Sequence, residues 1–372
     1  MKKIGIIGAG ISGLTLACLI KKNTNYDVSI FEKDNLKIKN INGIQISPNA
    51  LRILNELNFD SFDQEKLCKI TGISFYDHYS NLRIARMNFG YLSGGSYVTL
   101  NRSDLINFLI NKFLLKDNII EKEVVKIHEK SIFFKDKKKQ DFDILVIADG
   151  IFSNLRYKKI QPVYSGYSAF RGVFIDKKQI NDISLWMGKN FHFVKYPINQ
   201  NRKYSFTLVK KIAYIDDISN YDYEIKYLKK NNKFYFPNLN NIAFDDLNIK
   251  MWPIYKLNKI YYGDKYAFFI GDSAHGFIPS RAQGAAQAIE DSYTLFKLIT
   301  KNDILPARLY QIRKNRIRKI IRKSENNIIV FHFNFLIFRK IRNFFIKIIC
   351  SSEYLVKLFN SFIFDYNYKK NL

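Results

Sequence analysis

Residues Gly271–Asp291 read GDSAHGFIPSRAQGAAQAIED, directly after the apolar strand-like run Tyr266–Ile270. An acid beside a glycine at the end of a buried strand sits at the carboxyl edge of a sheet, where ligands of open α/β sheets bind. Asp272 is therefore placed to accept hydrogen bonds from sugar-like hydroxyls. Further on, Gln283-Gly284-Ala285-Ala286 offers small side chains and the start of a new helix. Such a surface lies close to a flat ring, and the helix amino end stabilises negative charge on it.

The chain carries a second backbone-baring loop far away, GAGISG at Gly8–Gly13, between the strand-like Lys3–Ile7 and a helix read from about Leu14 to Lys22. Gly8 suits the tight turn, Gly10 close approach of a pyrophosphate, and Gly13 tight helix–strand packing; Ile11 and Ser12 of the loop are counted among the cofactor-binding residues, and the helix amino end supplies N–H groups to the phosphates. Val28–Phe31 is a second strand ending on Glu32 and Lys33, and Glu32 is positioned to bind a ribose. Strand, loop, helix, strand and terminal acid together specify a dinucleotide site. An acidic strand end disfavours an NADP phosphate, which leaves FAD or NAD for this loop. The second stretch favours FAD, because ribityl hydroxyls need an acceptor such as Asp272. The two loops then serve opposite ends of one cofactor.

The 372 residues carry a formal charge of +27, which raises the question of nucleic acid. Lys is spread through every segment, without zinc-finger spacing or a basic stretch entering a heptad repeat, so no nucleic-acid partner is expected. The excess steepens at the end, with sixteen Lys/Arg against four Asp/Glu from Lys301 to Leu372. Cys18, Cys68 and Cys350 are far apart and odd in number, which argues against disulfides or a metal cage and suits a cytoplasmic protein. The opening MKKIGIIGAGISGLTLACLI contains the glycine loop and is read as fold, not as an export signal. No apolar run reaches the length of a membrane span.

The rest of the chain reads as an α/β protein. A Rossmann-like domain is assembled from residues 1–70, 101–160 and 262–300, with Asp143–Ile147 as a further buried strand ending in Ala148-Asp149-Gly150. Residues 71–100 and 161–261 alternate with many aromatics and predict an inserted, mainly antiparallel β-sheet that binds substrate. Residues 301–372 form a basic helical region, read as helices over Arg308–Ser324 and Ile328–Phe362.

Three segments in order, GAGISG with Glu32, DILVIADGIFSNLR (Asp143–Arg156) and GDSAH…P…QGAAQAIED, resemble the single-component FAD-dependent aromatic hydroxylases, salicylate hydroxylase-like. GIQISPNALR, the NRSDL run with Arg102, AFRGVF, HFVKYP and Trp252-Pro253 add to the likeness, which covers nearly the whole chain. The resemblance implies FAD held by Gly8, Gly10, Gly13 and Glu32 at its ADP half, and by Arg102 near the pyrophosphate. It implies Asp149 and Gly150 for FAD and transient NADH or NADPH, Asp272 for the ribityl chain, and Pro279 with Gln283–Ala286 against the isoalloxazine. It further implies reduction by NAD(P)H, reaction with O2 through a flavin hydroperoxide, and hydroxylation of a small phenol or aromatic acid. Three positions depart from the pattern: Gly276, where proline is frequent; Arg281, where glycine is more usual; and Gln45, grouped with the cofactor residues, where some relatives carry a catalytic His.

His192 and Tyr196 alternate on one strand of the inserted sheet and Arg171 lies on another, an aromatic wall with one cation and one imidazole suited to a phenolate. The plainer reading makes His192 and Tyr196 satisfied sheet residues and pairs Arg171 with an acid at the domain junction. His275 is read as structural, and His78, His128 and His332 are given no role. The run RKNRIRKIIRKSENN (Arg313–Asn327) is read as a covering helix with a solvated basic face. Its rival is a peripheral contact with the inner face of a membrane, delivering a quinone precursor. A third reading is a non-hydroxylating FAD-binding subunit. Oligomeric state stays open.

Overall fold

Five short strands run parallel in the order Ala267–Phe269, Ile144–Ile147, Lys3–Ile7, Asp27–Glu32 and Ile119–Glu121. The central strands are buried on both faces, which is why they read as continuous apolar runs instead of alternating. The computed structural model describes residues 1–34, 42–91, 95–212, 219–236 and 247–369. Both glycine loops leave the carboxyl edge of this one sheet. The helices that follow them, Ile11–Asn23 and Gly284–Thr300, pack together, and Ser292 Oγ donates to Ser12 O at 2.8 Å. The first helix begins at Ile11, earlier than the sequence reading. Leu14 N already donates to Gly10 O at 3.0 Å, so the second half of the loop is itself the first helical turn.

The inserted sheet has seven strands in the order Lys250–Leu257, Pro162–Ile175, Lys203–Lys211, Phe191–Pro197, Asp182–Gly188, Gly72–Asp77 and Arg83–Asn88. All neighbours are antiparallel except Asp182–Gly188 with Gly72–Asp77. Successive side chains of a strand point to opposite faces, and here the two faces differ in kind. Phe170, Phe193, Phe206, Leu208 and Trp186 form a dry aromatic layer closed by Tyr235 and Phe236. The intervening residues Arg171, His192, Val194, Tyr196, Thr207 and Val209 face a cavity. A small antiparallel sheet, Gly43–Ile46, Tyr97–Asn101 and Leu67–Ile70, joins the two units. Gly43 N donates to Ser205 Oγ at 3.1 Å and Thr99 Oγ1 to Pro197 O at 2.5 Å.

Three helices follow, where two were read: Pro306–Phe331, Leu336–Ser351 and Glu353–Phe364. The extra break comes at Ser352, which caps the last helix by accepting from Leu355 N at 3.4 Å. No described helix is long and apolar enough to cross a membrane. The basic run Arg313–Asn327 does cover the core, yet its face is not uniformly solvated. Arg313 and Arg316 turn inward, three residues apart on one face, onto Glu290 and Asp291 of the Gly284–Thr300 helix. Arg313 reaches Glu290 Oε2 at 2.6 Å and Asp291 Oδ1 at 2.7 Å, and Arg316 holds both Glu290 oxygens at 2.6 Å. Two acids and two guanidiniums make a cluster of zero net charge, the arrangement that offsets the desolvation of buried ions.

Burial would raise both carboxyls, but the cluster outweighs it: Arg316 and Arg313 hold Glu290 below its usual range, and His275 and Arg313 hold Asp291 at about 2. A carboxyl depressed on folding stabilises the protein above its unfolded pKa, and that contribution disappears as pH falls through the folded value. Asp291→Asn is expected to cost about 3–5 kcal/mol at neutral pH, because it strips a partner from a buried Arg313. Melting curves of the variant and the parent should then converge as the pH is lowered from about 4 to about 2.

Candidate active site

The glycines of the two loops divide by what a side chain would meet. A Cβ on Gly8 would lie 2.4 Å from Ala148 O, and one on Gly13 2.1 Å from Gly8 O, so both keep backbone segments in contact. Gly8 also needs its φ of +106°, open to glycine and costly for other residues. Gly10, Gly150 and Gly284 are different. A Cβ on any of them would meet no protein atom within 4 Å, and all three line one large cavity. These are the positions where backbone is left bare towards a ligand.

Around that opening stand several polar atoms that the protein itself leaves unsatisfied. Arg102 Nε is buried without a partner on the cavity wall, while its backbone N donates to Asn42 O at 2.9 Å. Asp149 Oδ1 is likewise unpartnered, and burial pushes that carboxyl up to about 6 against the opposing pull of Ser153. Beside it Arg156 spans to Gly150 O and Ser273 O at 3.2 and 3.0 Å, tying the middle motif to the second loop. Glu32 Oε2 accepts from Ala9 N at 2.8 Å and its Oε1 from Asp34 N at 3.1 Å, so the acid also shapes the loop. Glu32 is half-buried and Lys33 exposed at the outer end of the strand, away from the cavity lining.

In the second loop, Gly271 sits at φ +64°, where a Cβ would lie 3.0 Å from Ser12 Oγ; the two loops touch here. Asp272 is exposed and lines the cavity with Ile11, Ser12, Pro279, Gly284 and Ala285. Pro279 O accepts from Ala282 N at 3.0 Å, and Ala282 adopts φ +52°, a left-handed conformation that costs a non-glycine residue about 1–2 kcal/mol. Two residues expected against a ring, Gln283 and Ala286, do not line the cavity. Gln283 is 1 % exposed and bonds to Ser47 Oγ at 2.9 Å, and Ala286 is fully buried, so of this stretch Gly284 and Ala285 line the cavity. His275 Nε2 donates to Asp291 Oδ2 at 2.6 Å beneath the loop, a structural position.

The cavity, about 920 Å³, runs from the glycine loops to the inserted sheet and on to the C-terminal helices. Ile73, Phe75, Met87, Ile183, Leu185 and Val194 make its apolar walls. One corner is polar. Tyr97 Oη donates to Gln45 Oε1 at 2.8 Å, and Tyr196 adjoins Gln45, Ser205 and Arg171. Burial raises the Tyr196 pKa, and Ser205, Arg171 and Gln45 oppose that rise. Arg171 pairs with no acid among the described residues, unlike the junction ion pair that the sequence suggests. Its guanidinium lies 5.6 Å from the Trp252 ring centre, with Nε buried and unpartnered, and burial lowers its pKa.

His192 also faces the cavity, and its Nδ1 lies 2.8 Å from His332 Nε2, a histidine the sequence reading left without a role. Burial lowers His192 to about 3 and His332 to about 2, so the pair stays neutral. The pairing spans 140 residues and had no local signal. Tyr97 was missed for a similar reason: its partner Gln45 lies on a neighbouring strand, and only the register brings them together. Arg281 adds a further cation to the wall; its Nη2 donates to Asn327 Oδ1 at 3.1 Å, and burial lowers it to about 10.

Residues 6–36 match the NAD(P)-binding Rossmann-like domain family. Along its length the chain is 24 % identical to the 3-amino-4-hydroxybenzoate 2-monooxygenase PtmB3 of Streptomyces platensis, covering 89 % of this chain and 88 % of that protein. Its fold superposes on HpxO of Klebsiella pneumoniae complexed with FAD and uric acid, with a TM-score of 0.81, 17 % identity and coverage of 98 % of this chain and 97 % of that one. A salicylate hydroxylase substrate complex gives 0.75 at 16 % identity, covering 100 % of this chain and 97 % of that one. Over nearly its whole length the chain is thus similar in sequence to an aromatic-acid monooxygenase and in fold to a protein complexed with FAD and uric acid.

Proposed function

We propose that the protein hydroxylates an electron-rich aromatic ring, a phenol or aromatic acid, with FAD, NAD(P)H and O2. The observation that carries this reading is a continuous cavity that joins bare loop glycines to a chamber with apolar walls and a polar corner at Gln45, Tyr97, Tyr196 and Arg171. FAD, once reduced by NADH or NADPH, supplies the oxygen-activating chemistry. Gly8, Gly10, Ile11, Ser12 and Gly13 would hold its ADP half, with Glu32 and Lys33 at the ribose end and Arg102 near the pyrophosphate, while Asp149 and Gly150 would serve FAD and the transient NADH or NADPH. Asp272 would take the ribityl hydroxyls, and Pro279, Gly284 and Ala285 the ring edge. The unpartnered Arg102 Nε and Asp149 Oδ1 fit such a group, since a buried polar atom left alone costs roughly 1–3 kcal/mol.

On the substrate side, Arg171 attracts a phenolate or carboxylate into a chamber where Coulomb attraction is stronger than in water. Tyr196 and Tyr97, bridged by Gln45, are placed to hydrogen-bond the phenol oxygen and to relay its proton, each hydroxyl passing on its own as it takes one up. His192, kept neutral by its burial, orients without adding charge. The apolar walls exclude water from the reacting ring.

The purified protein is expected to release FAD on denaturation and to oxidise NAD(P)H faster when a phenol or aromatic acid is added. A colourless protein that takes up no FAD would overturn the reading. Arg171→Met should raise KM by about tenfold or more with FAD retained, as expected for loss of a charged hydrogen bond of roughly 1.5–3 kcal/mol. Tyr196→Phe should lower kcat by about 10²-fold or more if its hydroxyl moves the proton.

The two kinds of glycine separate cofactor binding from folding. Gly10→Ala should leave the melting temperature of the FAD-free protein nearly unchanged and weaken FAD binding by about tenfold or more. Gly13→Ala should destabilise the fold itself, since its Cβ would overlap Gly8 O. Thermal melts with and without FAD distinguish the two.

A further inference from the structure

The helix Leu336–Ser351 is inverted. Its only buried residue is Arg342, which donates to Phe331 O at 3.3 Å and Val330 O at 3.5 Å and lies 3.8 Å from Asp77 Oδ2. Ile337, Ile341, Phe344, Phe345 and Ile348 recur at helical spacing on the outside, and all five are exposed, Phe344 and Phe345 keeping 59 % and 57 % of their surface. Phe335, Leu336 and Phe338 extend this face at the helix start, and Tyr354 and Leu358 on the next helix are exposed as well. Soluble surfaces rarely leave so many large apolar side chains contiguous without a partner.

The charges around this face are of one sign. Arg339, Lys340 and Lys347 lie on the same helix, which carries no acid at all. On the following helix Glu353 is already engaged by Lys357 at 2.6 Å. An apolar stripe with basic residues on a surface helix is the pattern that settles into the headgroup region of anionic bilayers. A second copy of the chain is a poorer occupant, because a two-fold contact through this stripe would bring Arg339, Lys340 and Lys347 towards their own counterparts. The face also leads inward. Ile341, Phe345 and Phe359 belong both to the exposed surface and to the wall of the active-site cavity. Ile346, Ile349 and Cys350 continue that wall below them.

We propose that the helix Leu336–Ser351 docks the enzyme on an anionic membrane surface, and that the cavity receives an aromatic substrate with a hydrocarbon tail through the mouth at Ile341 and Phe345. The docking element is thus a different helix from the Arg313–Asn327 run, whose inward arginines are already engaged. The substrate claim rests on the hydroxylase reading above; the docking claim does not.

The test uses full-length, FAD-loaded protein with vesicles of phosphatidylcholine, alone or mixed with phosphatidylglycerol. The protein should sediment with the anionic vesicles and be released as salt is raised. Ile337→Gln combined with Phe344→Gln, both outside the cavity lining, should cut this binding by about tenfold or more. Arg339→Gln combined with Lys340→Gln should do the same. The apolar double variant should keep the parent's flavin spectrum and its kcat/KM on a water-soluble phenol, and lose about tenfold in kcat/KM on an alkyl-chain phenol presented in anionic vesicles. No sedimentation with anionic vesicles, or binding unchanged in both double variants, would overturn the docking. A concentration-dependent dimer dissociated by the same apolar variant, with no vesicle binding, would overturn it in favour of a second copy. Failure to oxidise NAD(P)H with any aromatic would instead strike the hydroxylase reading, whatever the vesicles show.

Discussion

Asp291 has no exposed surface, yet it accepts hydrogen bonds from four groups: Gly271 N at 3.0 Å, His275 Nε2 at 2.6 Å, Tyr262 Oη at 2.8 Å and Arg313 Nε at 2.7 Å. This one carboxylate joins the end of the last parallel strand, the second cofactor loop, the helix after it and the long C-terminal helix. Glu290 beside it adds Arg316 and, through Asn49 at 2.7 Å, the helix Pro48–Glu56. Gly271 is held at its positive φ against Ser12, and the two loops meet at the angle that leaves the cavity between them. A hydrophobic contact would not constrain the loop in this way, since apolar burial is non-directional.

The division of labour in the inserted sheet follows from the period of a strand. Phe191 and Phe193 point into the aromatic layer, while His192, Val194 and Tyr196 point into the cavity. A shift of one residue in register would exchange the two sets. The packed layer therefore specifies the wall of the active site. Arg171 and Tyr196 converge because their strands both flank Lys203–Lys211, although neither is near the other in sequence.

Much of this architecture was legible in the residue order, because glycine spacing, strand-terminal acids and alternation are local signals. The α/β class and the approach of the two loops could be read from Gly8–Gly13, Glu32 and Gly271–Ala286. What could not be read depends on partners distant in the chain. The basic run around Arg313 looked like solvent-facing charge, and only the Glu290-Asp291 pair, the two acids of a largely buried helix, hinted at an inward acceptor. Gln283 resembled a ring contact because its backbone position is right, while its side chain is drawn to Ser47 and Asn49. The His192–His332 pair and the Tyr97–Gln45 bridge arise from packing and strand register, to which no short motif corresponds.

The parallel sheet also dictates an order of assembly. Lys3–Ile7 can pair with Asp27–Glu32 early, but its other neighbour, Ile144–Ile147, leaves the ribosome more than a hundred residues later, and Ala267–Phe269 later still. The nascent amino-terminal unit therefore waits with one unpaired, strongly apolar edge, the kind of surface on which partly made chains aggregate. The second cofactor loop acquires its anchor only when Asp291 and then Arg313 have been synthesised. On the proposed reading FAD would not be fully enclosed before that point, which would make cofactor loading a late event in biogenesis.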